Sequence, residues 1–384
     1  MSVLEHHDDP TEELTPRRRR RGPWIALVVI LVLLAGTGGV VLDALRIPGH
    51  DSLAAKLAEW GRDHGLGPVV TWLEEIQYEH DQPPTGGVPQ GGIPTADGVR
   101  PGVRGSSRLP SVALPPLAGG AQLPGEGVWQ TVVTVKGSPA VQVASVRPDP
   151  QHTSFVVGVL RMDPTLVRGQ LHPGTLDPGG SWTTPTSLTG ADQADVVAAF
   201  NGGFRLTDPS HPGYYAEGRT VKPLVDGAAS LVLRADGTAD VGAWNREVHM
   251  DPGVVSVRQN LLPLVDGGQV NPTCATGGTK EWGSTIGQAA YIHRSGFGVT
   301  ATGVEVYVGG PALSVCTLGR ILQDAGVVRG MELDINPNWV SGTYFHDRPG
   351  SPPQGFPLFP AEQVAPQHYL TPTSRDWFAW YARG

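Results

Sequence analysis

Short apolar runs separated by turn residues dominate the C-terminal two thirds of the chain. The runs Thr131–Val135, Val141–Val146 and Ser154–Met162 are rich in valine and are typical of strands. We therefore predict an α+β fold, a strand-rich mixed sheet domain with few helices, over residues 128–384.

A strand–helix–strand passage is the clearest pattern within this domain. The run Gly303–Gly309 predicts one strand, and Val328–Ile335 predicts another. Between them Ser314 can cap a helix and Gly326 can end it. The apolar face of that helix consists of Val315, Leu318, Leu322 and Ala325. Such a passage is a βαβ candidate, with its loop residues at the carboxyl end of the first strand.

A different hydrophobic pattern lies near the N-terminus. The basic run Arg17–Arg21 precedes Trp24–Leu42, which carries no charged residue and approaches the roughly 20 apolar residues that cross a bilayer. The positive-inside rule then predicts a cytoplasmic tail at 1–22, a transmembrane helix at 23–42 and an extracytoplasmic C-terminal domain at the cell membrane. The alternative to this uncleaved signal-anchor is a cleaved signal peptide, whose apolar region would be shorter, about 7–15 residues.

Two segments connect this predicted anchor to the sheet domain. Residues 43–81 predict a helical stalk or an amphipathic surface segment, because apolar side chains recur at helical spacing at Leu53, Leu57 and Trp60. Residues 82–127 are rich in glycine and proline. Such a composition buries too little apolar surface to offset the entropy of ordering, so we predict a linker there.

Charge and cysteine content narrow the possible functions. The chain has 384 residues and a net charge of −8, and no basic cluster follows the N-terminal run, which argues against nucleic acid as a partner. Its two cysteines, Cys274 and Cys316, form no Cys-x-x-Cys motif. Outside the cytoplasm a structural disulfide is expected, and two unpaired buried thiols are the alternative.

Three short stretches carry the residues suited to chemistry, and the first is Ala199–Phe204. A predicted strand ends there in Asn201, Gly202 and Gly203. Two glycines let a ligand approach the backbone closely, and the asparagine amide can both donate and accept hydrogen bonds. The alternative is structural, since Asn-Gly is also a common tight turn.

The second stretch, His293–Gly303, places Arg294 between an apolar run and a glycine-rich run. An arginine in such a loop can bind a phosphate or carboxylate through two parallel hydrogen bonds. A surface arginine without a binding role is the alternative interpretation.

The third stretch, Met331–Trp339, contains Glu332 and Asp334 within an apolar run. On a strand these two side chains share a face, with Cα atoms about 6.7 Å apart. Their carboxyl groups could then reach either separation used by glycosidases, so the stereochemical outcome stays open. The alternative is that one carboxylate pairs with an internal arginine such as Arg294 for stability.

In their order and spacing these stretches resemble the phosphodiester glycosidase family. Members carry an Asn-Gly-Gly-Phe stretch, then Arg-Thr/Ser-x-x-Gly, then Leu-Asp-Gly-Gly-Gly-Ser, and this chain has Asn201–Phe204, Arg294–Gly298 and Leu333-Asp334. Val255–Gly268 is also similar to the family's segment before the arginine. One departure is that Ile335–Trp339 replaces the family's glycines and serine.

The resemblance implies cleavage of a sugar–phosphate link at the anomeric carbon. Arg294 would then neutralise the phosphate leaving group, and Asp334 would stabilise an oxocarbenium-like transition state. Glu332 would activate water or support Asp334, while Asn201 would orient the substrate. The substrate, a carbohydrate or sugar-phosphate polymer of the envelope, would contact Gly202, Gly203, Phe204, His293, Asn336 and Asn338.

A second function class stays open from the sequence. The altered loop after Asp334 favours a catalytically silent glycan-binding module anchored at the cell surface. Metal ligation is weakly indicated, because His293, Asp334 and His346 could converge but form no helical His-x-x-x-His motif and no carboxylate-rich loop. The sequence assigns no cofactor.

Overall fold

The computed structural model describes residues 38–48, 52–80, 82–100, 106, 108–208, 210, 213–283, 290–348 and 350–384. In chain order, the strands in this part of the protein are β1 (Gln130–Val135), β2 (Ser138–Val146), β3 (Val157–Met162), β4 (Val167–His172), β5 (Val196–Asn201), β6 (Tyr214–Ala216), β7 (Arg219–Lys222), β8 (Ala229–Arg234), β9 (Ala239–Ala243), β10 (Val254–Gln259), β11 (Pro263–Asp266), β12 (Gln269–Val270), β13 (Ile292–Thr300), β14 (Glu305–Leu313), β15 (Val327–Glu332), β16 (Gly342–His346), β17 (Gln354–Pro357) and β18 (Trp377–Ala382).

Helices are few and mostly short. They are α1 (Leu53–Asp63), α2 (Gly67–His80), α3 (Ala191–Asp195), α4 (Thr279–Trp282) and α5 (Val315–Asp324), with 3₁₀ turns at Pro272–Ala275 and Pro366–Leu370. Residues 38–45 are also helical. The predicted strand-rich domain with few helices is therefore confirmed.

The strands form three sheets through antiparallel pairings. One sheet has eight strands in the order β1-β2-β3-β14-β13-β15-β11-β12. The other two have five strands each, in the orders β7-β6-β10-β8-β9 and β17-β16-β5-β18-β4. Several neighbouring strands in these sheets, such as β3 with β14 or β5 with β18, come from distant parts of the chain.

The predicted strand–helix–strand passage is present, but a third strand lies between its two strands in the sheet. Strands β14 and β15 run parallel to each other, but β13 lies between them and pairs antiparallel with both. The Ser314 hydroxyl accepts a hydrogen bond from the Thr317 amide and caps α5. Gly326, just past the helix, has a φ of 86°, a conformation that favours glycine.

Aromatic side chains join the eight-stranded sheet to the sheet that contains β5 and β18. The Phe200 ring stacks 4.4 Å from Tyr307 of β14 and 4.5 Å from Trp380 of β18. Side chains alternate along each strand, so Val306 and Val308 point to the opposite face, where α5 packs through Leu318 and Leu322. The eight-stranded sheet therefore separates the aromatic core from the α5 side.

The prediction that a transmembrane helix precedes the domain needs correction. Over the described residues, no helix combines the length and apolar character needed to cross a membrane. Helices α1 and α2 have 11 and 14 residues, short of the roughly 20 that span a bilayer. Residues 23–37 of the predicted span lie outside the described part of the chain.

The glycine- and proline-rich segment before β1 follows the surface of the sheet domain. Leu109 and Leu114 are buried there, and Glu126 forms a buried ion pair with Arg147. The Arg100 amide also donates to the Thr131 carbonyl. Where it is described, this segment therefore packs on the domain, although its sequence predicts a linker.

Cys274 and Cys316 are joined by a disulfide, with their Cα atoms 5.0 Å apart. This bond connects the 3₁₀ turn at Pro272–Ala275 to the first turn of α5. It links the pair expected from the sequence.

Candidate functional site

The candidate site lies where β5 ends, next to the loop that follows β15. Asn201 is the last residue of β5, and its side chain is almost fully buried. Its amide oxygen accepts from the Tyr307 hydroxyl at 2.9 Å and from the Ser341 amide at 3.2 Å. Its amide nitrogen donates to Ser295 Oγ at 3.0 Å. Asn201 thus connects several elements, and its orientation is fixed.

Ser295 joins the asparagine to the third sequence stretch. The Asp334 amide donates to Ser295 Oγ at 3.1 Å, and the Ser295 amide donates to the Asp334 carbonyl at 2.9 Å. Asn201 and Asp334 therefore lie next to the same hydroxyl group, as members of one network.

Asn260 makes a second connection between the first and third stretches. Its amide nitrogen donates to the carbonyls of Glu332 and Leu333, at 3.0 and 2.7 Å. Its amide oxygen accepts from the Phe204 amide at 3.2 Å. One side chain thus fixes the backbone on both sides of the site.

Asp334 carries the carboxylate that faces open space. Its Oδ1 accepts from the Ile335 amide at 2.7 Å, and its Oδ2 lies 3.3 Å from Nη2 of Arg375. Burial raises the pKa of Asp334 to about 6, and the positive charge of Arg375 opposes that rise. Burial thus favours the protonated acid, and Arg375 favours the carboxylate.

Arg294 and Glu332 lie on the other side of the sheet from this network. Nη1 of Arg294 donates to Glu332 Oε1 at 2.5 Å, and its Nε donates to the Leu313 carbonyl at 2.9 Å. Both side chains are fully buried and line neither of the cavities described below. This differs from the sequence-based expectation that both would line one pocket with Asn201 and Asp334.

Strand alternation explains the difference. Arg294 shares a face of β13 with Gly296, which pairs with Glu332 and lies against Leu322 of α5. The next side chain, Ser295, therefore points to the opposite face. Asp334 comes after β15 has ended at Glu332, so the two carboxylates need not share a face.

A second buried ion pair supports the glycine turn. Nε of Arg258 donates to Asp376 Oδ2 at 2.7 Å, and both side chains are fully buried. The Gly202 amide donates to the Asp376 carbonyl at 3.0 Å. A Cβ at Gly202 would collide with Asp376, so this close approach requires glycine.

Two cavities meet at Asp334, Trp339 and Arg375. The smaller, of about 20 Å³, is lined by fourteen residues that include Asn201, Gly202, Gly203, Asn338, Ser341 and Asp376. The larger, of about 670 Å³, falls within the 300–1,000 Å³ typical of ligand pockets. Its other walls are formed by Arg62, Asp63, Gly67, Thr71, Phe204, Arg205, Thr207, Asp208, Ile335 and Asn336.

Helix α1 brings a further carboxylate to this cavity region. Glu59 Oε2 lies 3.1 Å from Nη1 of Arg205, and Glu59 Oε1 lies 4.0 Å from Nη1 of Arg375. Arg205 also donates to Asp63 at 2.6 Å. The two arginines beside the large cavity therefore share acidic partners from α1.

The histidines considered as metal ligands do not join the site. His293 Nε2 lies 3.4 Å from the Ala361 carbonyl, and burial lowers the pKa of His293 to about 4. His346 packs against Phe356, with ring centroids 4.8 Å apart. In the chain as described, no three His, Cys, Asp or Glu side chains are grouped to hold a metal ion.

Several residues of the site were not singled out from the sequence. The most important are Arg375 and Asp376, which immediately precede the apolar strand β18. Arg258 and Asn260 lie in a segment noted only for its resemblance. A signal was present in both places, because charged residues beside or inside apolar strands require partners when buried.

Comparisons with known proteins add a weak structural resemblance. No protein-family model and no curated protein match the chain. Among solved structures, it is similar to the zebrafish N-acetylglucosamine-1-phosphodiester alpha-N-acetylglucosaminidase catalytic domain, auto-inhibited by its pro-peptide. That match has 14% identity and a TM-score of 0.42, and it covers 67% of this chain and 88% of that one.

Two further solved structures are less similar. A hypothetical protein from Synechocystis has 13% identity and a TM-score of 0.36, covering 65% of this chain and 63% of that one. A putative exported protein from Burkholderia pseudomallei has 14% identity and a TM-score of 0.28, covering 59% and 74%. The family suggested by the sequence motifs thus has a weak structural counterpart and no match to a family model.

Proposed function

We propose that this protein is a glycosidase-like hydrolase that cleaves a bond between a sugar and a phosphate. One observation carries the proposal. Asp334 is a buried carboxylate beside an arginine, at the wall of a cavity of about 670 Å³, and its pKa is raised to about 6. Perturbed carboxylates at cavity walls are typical of catalytic sites.

The chemistry assigns one role to each charged group. The Asp334 carboxylate stabilises the positive charge that develops on the sugar ring in an oxocarbenium-like transition state. Arg375 stabilises the departing phosphate, which is already a stable anion and needs little protonation. Glu332 cannot serve as the base from the far side of the sheet, where it is bonded to Arg294. The bond from the anomeric carbon to the phosphate oxygen breaks, and the phosphate leaves as an anion. Water adds to the anomeric carbon and gives up a proton to the Asp334 carboxylate.

The large cavity is the one with room for a sugar, because the smaller one is only about 20 Å³. Asn336 and Trp339 line the large cavity, and the Arg375 guanidinium lies 4.9 Å from the centroid of the Trp339 ring. The Asn201 amide makes its hydrogen bonds within the protein and fixes the wall beside Asp334. We infer a carbohydrate or sugar-phosphate polymer as partner. The disulfide supports an oxidising compartment outside the cytoplasm.

Sugar release from N-acetylglucosamine-1-phosphodiester and related glycans tests the proposal. The full chain should release sugar, and Asp334→Asn should lower the rate by about 10²–10⁴-fold, since it keeps the shape and removes the charge. Circular dichroism should show an unchanged fold. The matched control is Asp324→Asn at the end of α5, which lines neither cavity and should keep the wild-type rate.

The pH dependence supplies a second measurement. Because the carboxylate form is required, the rate should fall as pH decreases below about 6, where Asp334 takes up a proton. A wild-type protein that binds these glycans but releases no sugar would refute the proposed enzymatic activity. The function would then be that of a glycan-binding module, in line with the altered loop after Asp334.

A further inference from the structure

We propose that Arg205 and Arg375 form a subsite for a phosphate group, and that Glu59 of α1 occupies this subsite when no ligand is bound. The inference deepens the proposed function, on which the assignment to a substrate phosphate rests. The sequence suggested Arg294 as the phosphate-binding residue, but Arg294 is buried on the far side of the sheet. The inference gives that role to two arginines that line the large cavity.

The geometry around Glu59 is that of an anion between two cations. Arg205 and Arg375 belong to distant parts of the chain, yet their Nη1 atoms lie 3.1 and 4.0 Å from the two oxygens of one carboxylate. The Glu59 side chain is only 1% exposed. Bringing two positive charges together at a cavity wall favours an anion at the point where they converge.

The hydrogen bonding between the Glu59 carboxylate and the arginines is incomplete. Within the described structure, neither carboxylate oxygen of Glu59 has a hydrogen-bond partner, and the buried Nε of Arg205 also lacks one. A buried charge is costly unless it is both paired and hydrogen-bonded. A phosphate group has more acceptor oxygens in a tetrahedral arrangement, and guanidinium groups bind it through parallel hydrogen bonds. Phosphate can therefore satisfy donors that Glu59 leaves unused.

The inward face of α1 also differs from that of a helix docked only for stability. Such a helix normally buries an apolar stripe and exposes polar residues. Here the buried positions are Ala55, Lys56, Glu59 and Gly61, whereas Leu53 is 46% exposed. The buried face of α1 thus carries two charged side chains, and one of them, Glu59, meets the two arginines.

Displacing Glu59 would also alter the cavity. Arg62 and Asp63 of α1, together with Gly67 and Thr71 of α2, form one wall of it. A phosphate that competes with Glu59 for the arginines would loosen the attachment of α1. The two helices therefore act as a built-in competitor for the ligand.

Calorimetric titration of the full chain with inorganic phosphate, at constant ionic strength and without sugar, tests the inference. A competing internal group lowers the apparent affinity by the fraction of molecules in which the site is free. Glu59→Gln should therefore bind phosphate about tenfold more tightly than wild type. Asp324→Asn, which removes an equally negative group from a pair with Arg320 at the end of α5, should match wild type. Equal or weaker binding by Glu59→Gln would overturn the inference.

Two further measurements keep the test decisive if Glu59→Gln does not fold. Arg205→Gln should abolish phosphate binding, and retained binding would refute the subsite. In wild type, phosphate should accelerate proteolytic cleavage within α1 and α2 relative to chloride, and slower cleavage would refute the competition. Phosphate binding without sugar release would support the phosphate subsite and overturn the proposed hydrolase activity. Sugar release without phosphate binding would support the hydrolase activity and overturn the phosphate subsite.

Discussion

Two ion pairs, each formed by an arginine and a carboxylate, lie on opposite sides of one sheet and differ in their surroundings. Arg294 and Glu332 are 2.5 Å apart, with side-chain exposures of 1% and 0%. Arg375 and Asp334 are 3.3 Å apart, with side-chain exposures of 10% and 8%, and both residues line the two cavities. The first pair is enclosed on the side that faces α5, and the second faces space that a ligand can enter.

The difference shows which pair is suited to function. The Arg294 and Glu332 side chains pair with each other, and both are buried and line neither cavity. Arg375 is shared among Asp334, the Gly203 carbonyl and Glu59, so its charge can be redirected to a ligand. The following predictions test whether the first pair stabilises the fold and whether the second pair has the proposed role in the reaction.

The largest effect is expected from Glu332→Ala. The substitution leaves the Arg294 charge buried without its partner, which typically costs about 3–5 kcal/mol. Urea unfolding should show this loss in the free energy of unfolding. Asp324→Asn weakens a pair in which the Arg320 side chain is 60% exposed, and it should change that free energy by less than about 1 kcal/mol.

Replacing both members of the enclosed pair provides the contrast. Arg294→Met combined with Glu332→Leu removes both charges, and buried pairs replaced by apolar residues often lose little stability. The double variant should recover most of the loss, and sugar release should stay within about tenfold of wild type. A double variant that folds but is inactive would give the enclosed pair a catalytic role.

Local signals in the sequence were sufficient to predict much of the fold. Valine-rich runs predicted β1, β2 and β3, and the capping serine with its apolar face predicted α5. The arrangement into three sheets was beyond such signals, because pairings such as β5 with β18 join distant segments. The uncharged N-terminal run predicted a transmembrane helix that the described residues do not contain.

The site was predicted in part for a similar reason. Asn201 was singled out because it ends a predicted strand in a glycine turn, and Asp334 was singled out because a carboxylate within an apolar run requires a partner. Arg294 was expected in a loop because glycines follow it. Those glycines lie inside β13, where a Cβ at Gly296 would come within 2.9 Å of the Met331 carbonyl oxygen. Arg375 was missed because the Arg-Asp pair before β18 forms no recognised motif.

A smaller effect is expected from Arg375→Gln. The positive charge of Arg375 favours the ionised form of Asp334, so its removal should raise the pKa of Asp334 above about 6. The acidic limb of the pH–rate profile should then move to higher pH by about one unit. At pH values above that limb, the rate should be about 10²-fold lower than in wild type. Arg375→Lys retains the charge and should leave the limb near the wild-type position. An unmoved limb in Arg375→Gln would show that Asp334 does not set it.

Stability should respond to pH with a defined sign. The folded-state pKa of Asp334 is raised above its value in the unfolded chain. Its contribution to stability is therefore fully present below the unfolded pKa and is lost as pH rises through about 6. From pH 4 to pH 7, wild type should lose stability relative to Asp334→Asn in urea unfolding. No such divergence would mean that burial does not perturb Asp334.

The smallest effect is expected from Ser295→Ala, which changes the hydroxyl between Asn201 and Asp334 but no charge. The Asp334 amide and one Asn201 amide hydrogen lose their acceptor, which costs about 1–2 kcal/mol when the site is buried. Since Asn201 also bonds to Tyr307 and Ser341, the network should loosen without collapsing, and sugar release should fall by about tenfold. Ser314→Ala is the matched control, because loss of this helix cap costs about 1 kcal/mol at a distance from the cavities. If both variants lose equal stability and only Ser295→Ala loses activity, the hydroxyl positions Asp334, whereas equal activity in both would limit Ser295 to a structural role.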